Sequence, residues 1–252
     1  MNIIWIPDNR IQLTEPLTYA KKITGTRFAA ILGANKYSTP FQIWCEMTKV
    51  YEPVFTENKY TLAGKAIEPK LIQYFSELHS EYKIETPTDR YGQDYFSKTW
   101  GDFFPQEQIY GGMWDALGYD KIRPYLPSLV IECKTTGKRY DWYDSVTGEK
   151  TIPQHYALQA ALYAFLLGIR KVVMPVAFLS SKDYKTPENF KCSSKNTDIF
   201  EFDRAELFPD MTARLDYCDA WYSRHISTGI SPEYDRIKDA EYLDGIAEKY
   251  RS

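Results

Sequence analysis

The stretch Leu129-Val-Ile-Glu-Cys-Lys134 limits the fold of this chain more than any other. It is compact and apolar and lies between Pro127 and Gly137, so residues 128–135 are predicted to form an interior strand. Side chains alternate along a strand, which puts Glu132 and Lys134 on one face with Val130. A charge is costly to bury unless it is paired or binds a metal. Two readings follow. One is an edge strand with a surface salt bridge; the other is an interior strand that holds a carboxylate and an ammonium for chemistry.

Helices and strands surround this segment. Residues 1–20 read as a strand-and-turn lead-in. A short helix is predicted over 26–32, with Thr26 as its N-cap and Gly33 as its stop, and another over 40–50 from Pro40. Leu62, Ala66, Ile67, Leu71, Tyr74, Phe75 and Leu78 recur at helical spacing and define a longer helix over 57–79. Residues 82–125 read as strands joined by turns, and 138–152 as a loop. A helix is expected over 154–167, ended by Gly168, then a buried strand over 171–179. An amphipathic helix over 203–226 and a C-terminal helix complete the chain. This order predicts an α/β domain with a mixed central sheet wrapped by helices. The 252 residues suit a single domain, with a core over 20–180 and a helical extension over 200–252.

Composition narrows the classes. At 44% hydrophobic and 26% charged residues the chain is a folded globular protein, and a net charge of -3 argues against a uniformly basic nucleic-acid coat. A local basic cleft is still compatible with that sum. Cys45, Cys133, Cys192 and Cys218 form no CxxC pair, which speaks against a zinc ribbon or an iron–sulfur knot. With no signal-like start and no long apolar run, the expectation is a soluble, cytoplasmic protein with reduced thiols and no membrane association.

Further polar residues stand where apolar ones would be expected. Asp115 follows Gly111-Gly112 between apolar residues, on or beside a strand that precedes the Glu-x-Lys strand. Two such strands can present Asp115 and Glu132 to one cation, and carboxylates suit the hard ions Mg²⁺ and Mn²⁺. A simple turn aspartate is the alternative. Glu68 lies on the side of its helix that carries Leu71, Ile72 and Phe75, where it either completes an acidic cluster or sits solvated at the margin. Tyr156, Gln159 and Tyr163 share one helical face. Gln159 there is either a core amide bonded to backbone or a group that orients a metal ligand or a water. His155 reads as a surface or packing residue, and three histidines in all give no metal constellation.

Taken in order, the helix Glu, the Asp, the Glu-x-Lys strand and the Gln159-x-x-x-Tyr163 helix resemble the PD-(D/E)XK nuclease superfamily, with its restriction-endonuclease-like core. The segment from Lys21 through Gly25-Thr26-Arg27-Phe28 to Pro40, followed by Trp44, is similar to the opening motif of the YqaJ viral recombinase (phage lambda exonuclease-like) family. With Gly64–Glu68 and the Gln159 helix, the resemblance covers roughly residues 20–180; the C-terminal helices match no motif. It implies an exonuclease that resects one strand of duplex DNA from its 5′ end. It further implies that Asp115 and Glu132 bind Mg²⁺ together with the backbone carbonyl of Cys133, that Glu68 helps hold a second ion, that Lys134 activates or positions the water, and that Gln159 is the motif glutamine, with Tyr163 supporting it. The opening motif would bind the 5′ phosphate, with Thr26 as its hydroxyl residue. One departure stands out: the family's phosphate-binding Arg lies a few residues before this Thr, where this chain has Lys21 and Lys22, and Lys lacks the bidentate fork of Arg.

Two divalent ions held by Glu68, Asp115 and Glu132 would suit a pentacovalent, highly anionic transition state, with Lys134 adding charge beside the attacking water. Lys21, Lys22, Arg27 and Lys36, joined by Lys138 and Arg139, are candidates for sequence-independent phosphate contacts. Trp44, Trp114 and Trp142 are candidates for base stacking, against a core role. The expected partners are double-stranded DNA ends and a single-strand annealing protein, with a ring-shaped homotrimer by analogy with toroidal relatives. Two alternatives stay open: an endonuclease or resolvase of the same fold, and a nuclease-dead DNA-binding module.

Overall fold

The computed structural model describes residues 2–251. In chain order, strands β1 (Ile3–Ile6) and β2 (Arg10–Leu13) precede helices α1 (Gly25–Ile31), α2 (Pro40–Thr48) and α3 (Lys59–Leu78). Strand β3 (Tyr82–Glu85), helices α4 (Pro87–Tyr91) and α5 (Tyr95–Thr99), and strands β4 (Ala116–Asp120), β5 (Leu129–Ile131) and β6 (Lys134–Thr136) follow. Helix α6 (Gln154–Leu166), strands β7 (Lys171–Phe178) and β8 (Thr197–Asp203), and helices α7 (Arg204–Leu207), α8 (Met211–His225) and α9 (Ala240–Lys249) complete it. The chain forms two compact units. One comprises the residues up to Phe55, Gln106–Gly111, and those from Asp210 onward; the other comprises Thr56–Pro105 and Gly112–Pro209.

The first unit joins both ends of the chain. Strands β1 and β2 form an antiparallel hairpin whose turn holds Asp8 and Asn9 at positive φ, a conformation that short polar side chains tolerate. Helix α1 starts one residue earlier than the sequence suggests, with Thr24 rather than Thr26 at its N-cap. Helix α2 is fixed by a capping box between Thr39 and Gln42, with Pro40 in its first turn. Phe28, Phe41, Trp44 and Trp221 are buried. The Trp44 indole donates to the His225 carbonyl at 3.0 Å, which satisfies its buried N–H.

The second unit is a mixed six-stranded sheet between helices. Its order is β3-β4-β5-β7-β6, with β8 also on β7. Strands β5 and β6 run parallel to β7, and the other pairs are antiparallel. On one face Val130, Leu117, Val172, Met174 and Phe200 pack with Ala160, Tyr163 and Ala164 of α6. On the other, Leu129, Ile131, Val173 and Ala177 pack with Ala63, Ile67 and Leu71 of α3.

Three expectations need correction. Residues 86–99 are largely helical rather than strand, because Thr86 and Asp89 form a capping box around Pro87 and start α4 locally. The helix expected over 203–226 is split: Asp203 belongs to β8 and caps α7, and Phe208-Pro209 interrupts the helix because a residue before proline avoids the helical region. Strand β8, over a segment to which the sequence reading assigns no element, pairs with β7 along nearly its whole length. No helix among the described residues is long and apolar enough to cross a membrane, and all four cysteines are free thiols.

Candidate active site

The site lies where the Leu129–Thr136 strand breaks. Strands β5 and β6 keep one register against β7, Leu129 opposite Lys171 and Lys134 opposite Val176, so Glu132 and Cys133 fall in the gap opposite Met174 and Pro175. The Glu132 N–H still donates to the Val173 carbonyl at 3.0 Å. In a parallel ladder the Glu132 carbonyl would next receive the N–H of residue 175, and Pro175 has none. On the side away from β7, the Cys133 N–H donates to Asp115 Oδ2 at 2.7 Å. A carboxylate thus replaces the neighbouring strand, and alternation turns the Cys133 carbonyl to that same side.

Glu132 is 2% exposed. Its Oε1 accepts from Lys134 Nζ at 2.8 Å and from Gln159 Nε2 at 2.7 Å, while Lys134 Nζ also donates to Gln159 Oε1 at 3.3 Å. The salt bridge that could have lain on a surface edge is therefore interior, and Gln159 ties both charges to α6. The other Glu132 oxygen, Oε2, is buried without a hydrogen-bond partner. A buried carboxylate oxygen left so is costly, and a hard divalent cation is a partner that would satisfy it.

Asp115 immediately precedes β4, and Glu68 lies in the third turn of α3. Both line a cleft of about 560 Å³ together with Thr86, Thr88, Tyr95 and Met113. Burial, then the charges of Glu132 and Glu68, pushes the Asp115 carboxyl well above its ordinary range, with Lys134 and the Cys133 N–H pulling back. Burial and the Glu132 charge likewise raise Glu68. For Lys134, burial disfavours the ammonium, but Glu132 and Asp115 outweigh it and raise its pKa. Asp115 therefore feels the charges of Glu132 and Glu68, Glu68 feels that of Glu132, and Lys134 is a cation at neutral pH.

The glycine pair before Asp115 has a packing reason. Gly112 sits at φ 129°, and a Cβ there would stand 2.7 Å from the Tyr163 hydroxyl. Tyr163 of the Gln-x-x-x-Tyr helix is thus pressed against the backbone that leads into Asp115, and only glycine admits both the space and the dihedral.

Among the described residues no group of three or more His, Cys, Asp or Glu side chains is gathered closely enough to hold a metal ion. The donor set nevertheless fits a hard divalent cation: Glu132 Oε2 without a donor, Asp115 with a single N–H, and Glu68 beside the same cleft, all oxygens.

The residues expected to bind a 5′ phosphate belong to the first unit. Lys21 is paired with Glu52 at 2.5 Å, and Arg27 donates to the Lys22 carbonyl at 2.8 Å and lies 3.9 Å from Glu46. Thr26 and Lys36 are exposed, Lys36 over the Tyr37 ring, and Lys22 is half-buried. In the second unit, Arg139 is paired with Asp198 and Lys138 is exposed. Trp44, Trp114 and Trp142 are all buried, so the core role holds for them and not base stacking. Helical spacing puts Tyr156 on the Gln159 face of α6; that its ring lies under Lys134 is not readable from sequence spacing.

Residues 18–169 match the YqaJ-like viral recombinase domain. The chain is 29% identical over 266 residues to the uncharacterized protein MG373 of Mycoplasma genitalium, covering 90% of each. Among solved structures it resembles LHK-Exo, the alkaline exonuclease of Laribacter hongkongensis, in complex with dAMP, at 14% identity, a TM-score of 0.53, and coverage of 91% of this chain and 95% of that one. It also resembles a phage-related exonuclease from Haemophilus somnus 129PT at 15% identity, a TM-score of 0.50, and coverage of 83% and 96%. At such identities the structural likeness establishes the fold, a mixed sheet flanked by helices.

Proposed function

Because this chain belongs to the YqaJ-like viral recombinase domain family, within the PD-(D/E)XK nucleases, we propose that it is a metal-dependent exonuclease that hydrolyses double-stranded DNA from 5′ ends. The observation that carries this reading is the Glu132 carboxylate: buried, held at one oxygen by Lys134 and Gln159, and lacking any donor at the other. A binding module has no use for such a group facing a phosphate backbone, because it only repels the ligand.

Glu132 and Asp115, with the Cys133 carbonyl, would hold Mg²⁺ or Mn²⁺, and Glu68 would help hold a second ion. When bound, the ions supply a nucleophile at neutral pH and neutralise the charge that develops on the phosphoryl oxygens. The protein's own groups do the rest. Gln159 holds the Glu132 carboxylate and the Lys134 ammonium in one orientation. Lys134 stays protonated, so it donates to the attacking water and offsets anionic charge, and does not act as a base. Tyr163 fixes the Gly112 backbone and with it Asp115. Thr26, Lys21, Lys22, Arg27 and Lys36 would contact the 5′-terminal phosphate.

Linear duplexes with 5′-phosphate, 5′-hydroxyl or hairpin-capped ends, incubated with Mg²⁺, with Mn²⁺ or with chelator, test this directly. Metal-dependent release of nucleotides from open ends, with covalently closed circles spared, is the expected result. Nicking of the circles would favour an endonuclease, and inactivity in both metals would reject the reading. A strand-annealing partner and a ring trimer are proposed from the family alone; sedimentation of the purified chain with and without duplex DNA checks the ring.

A further inference from the structure

We infer that Tyr156 is a positioning residue that holds the Lys134 ammonium through the face of its ring. This rests on the proposed reading of Lys134. The ammonium nitrogen lies 4.9 Å from the Tyr156 ring centroid, while it also donates to Glu132 at 2.8 Å. Tyr156 is on α6 one turn before Gln159, so a single helix supplies two of the three contacts to Lys134.

The ring is itself held. Trp142, 1% exposed, stacks on it with centroids 5.7 Å apart and planes 19° apart. Phe200 of β8 packs against Trp142 at 4.9 Å. The column Phe200–Trp142–Tyr156 thus leads from the core to the ammonium. Its chemistry suits the task. The Glu132 Oε1 that holds Lys134 is shared with Gln159, whereas the quadrupole of an aromatic face attracts a cation without competing for that oxygen. The ring thereby adds a restraint on the ammonium that draws on no oxygen of the site.

The experiment is a fluorination series at position 156, carried out on the full chain with a 5′-phosphorylated linear duplex. Phe, 4-fluoro-Phe and 3,4,5-trifluoro-Phe keep the ring's shape and drain its π-density stepwise. The expected result is that Tyr156→Phe keeps kcat within about twofold, that kcat then falls stepwise to about a tenth with three fluorines, and that KM stays constant. Tyr156→Leu should fall at least as far. As a second measurement, the Lys134 Cε protons should be ring-current shifted in the Phe variant and return to ordinary positions in the Leu variant. A flat fluorine series, or a loss carried by KM, overturns the inference. Lys134→Ala is assayed alongside. If it is active, or the wild type is inactive, the nuclease reading falls and this inference with it. If it is dead while the series is flat, only the role of Tyr156 is rejected.

Discussion

Two groups of charged residues in this chain end in opposite conditions. Around Glu132 the charges are largely buried, and the bookkeeping does not close: Oε2 has no donor, and Asp115 and Glu68 are pushed toward protonation by burial and by the Glu132 charge. Around Lys21 and Arg27 the charges have acidic or carbonyl partners and are partly solvated, Lys21 on Glu52 and Arg27 on the Lys22 carbonyl near Glu46. The difference teaches that an unsatisfied buried carboxylate is a stronger sign of chemistry than a run of basic residues, because a structural ion pair can be satisfied within the chain and a metal ligand cannot.

The largest test of that contrast is removal of the acids or the ammonium. Asp115→Ala, Glu132→Ala and Lys134→Ala should each lower DNA cleavage by a factor of roughly 10² or more, with unchanged circular dichroism. Activity near wild type in any of them would put Glu132 in the same class as the surface pairs. Next comes the backbone that carries Asp115. Gly112→Ala adds a methyl group against the Tyr163 hydroxyl at a positive φ, and should lower stability by about 1–3 kcal/mol in urea melts. Unchanged stability would mean that Tyr163 gives way and does not brace the site.

These residues also show what the sequence made legible. Glu132, Lys134 and Gln159 were identifiable because alternation on a strand and the helical repeat are local rules, and the structure brings the three within hydrogen-bond reach. The break between β5 and β6 was not identifiable: it depends on Pro175, some forty residues later, and on the Asp115 carboxylate, neither of which a local pattern can register. Strand β8 is not legible because Thr197–Asp203 carries three acidic residues and pairs at a sheet edge, where β-propensity says little. Helix α4 is not legible from composition because a capping box around Pro87 outweighs the surrounding strand-like residues.

A smaller effect sharpens the comparison from the stability side. Asp115 has its folded pKa raised above the ordinary value of 3.8, so the folded chain takes up a proton more readily than the unfolded one. In the absence of metal, stability is therefore lost as pH rises from near that ordinary value through the folded pKa, and the full penalty is present above it. Asp115→Asn removes the penalty and retains an oxygen for the Cys133 N–H. In chelator at pH 7.5 the variant should melt about 2–4 °C above wild type, and the gain should vanish near pH 3, where the aspartate is protonated in both states. A gain that persists at low pH would point to packing and not charge.

The smallest effect belongs to Lys21. Its partner Glu52 is half exposed, and an exposed pair is worth about 0–1 kcal/mol, so leaving Glu52 for a phosphate changes little in either direction. If Lys21 takes a 5′ phosphate, Lys21→Ala should reduce the preference for 5′-phosphate over 5′-hydroxyl ends by about threefold, within that range of energies, and raised salt should shrink the difference further. Glu52→Ala should shift the preference the opposite way, because it releases the ammonium without removing it. A preference that ignores both substitutions would make the Lys21–Glu52 pair purely structural. The contrast with Glu132 would then be complete: one set of charges that the fold satisfies for its own sake, and one that it leaves open.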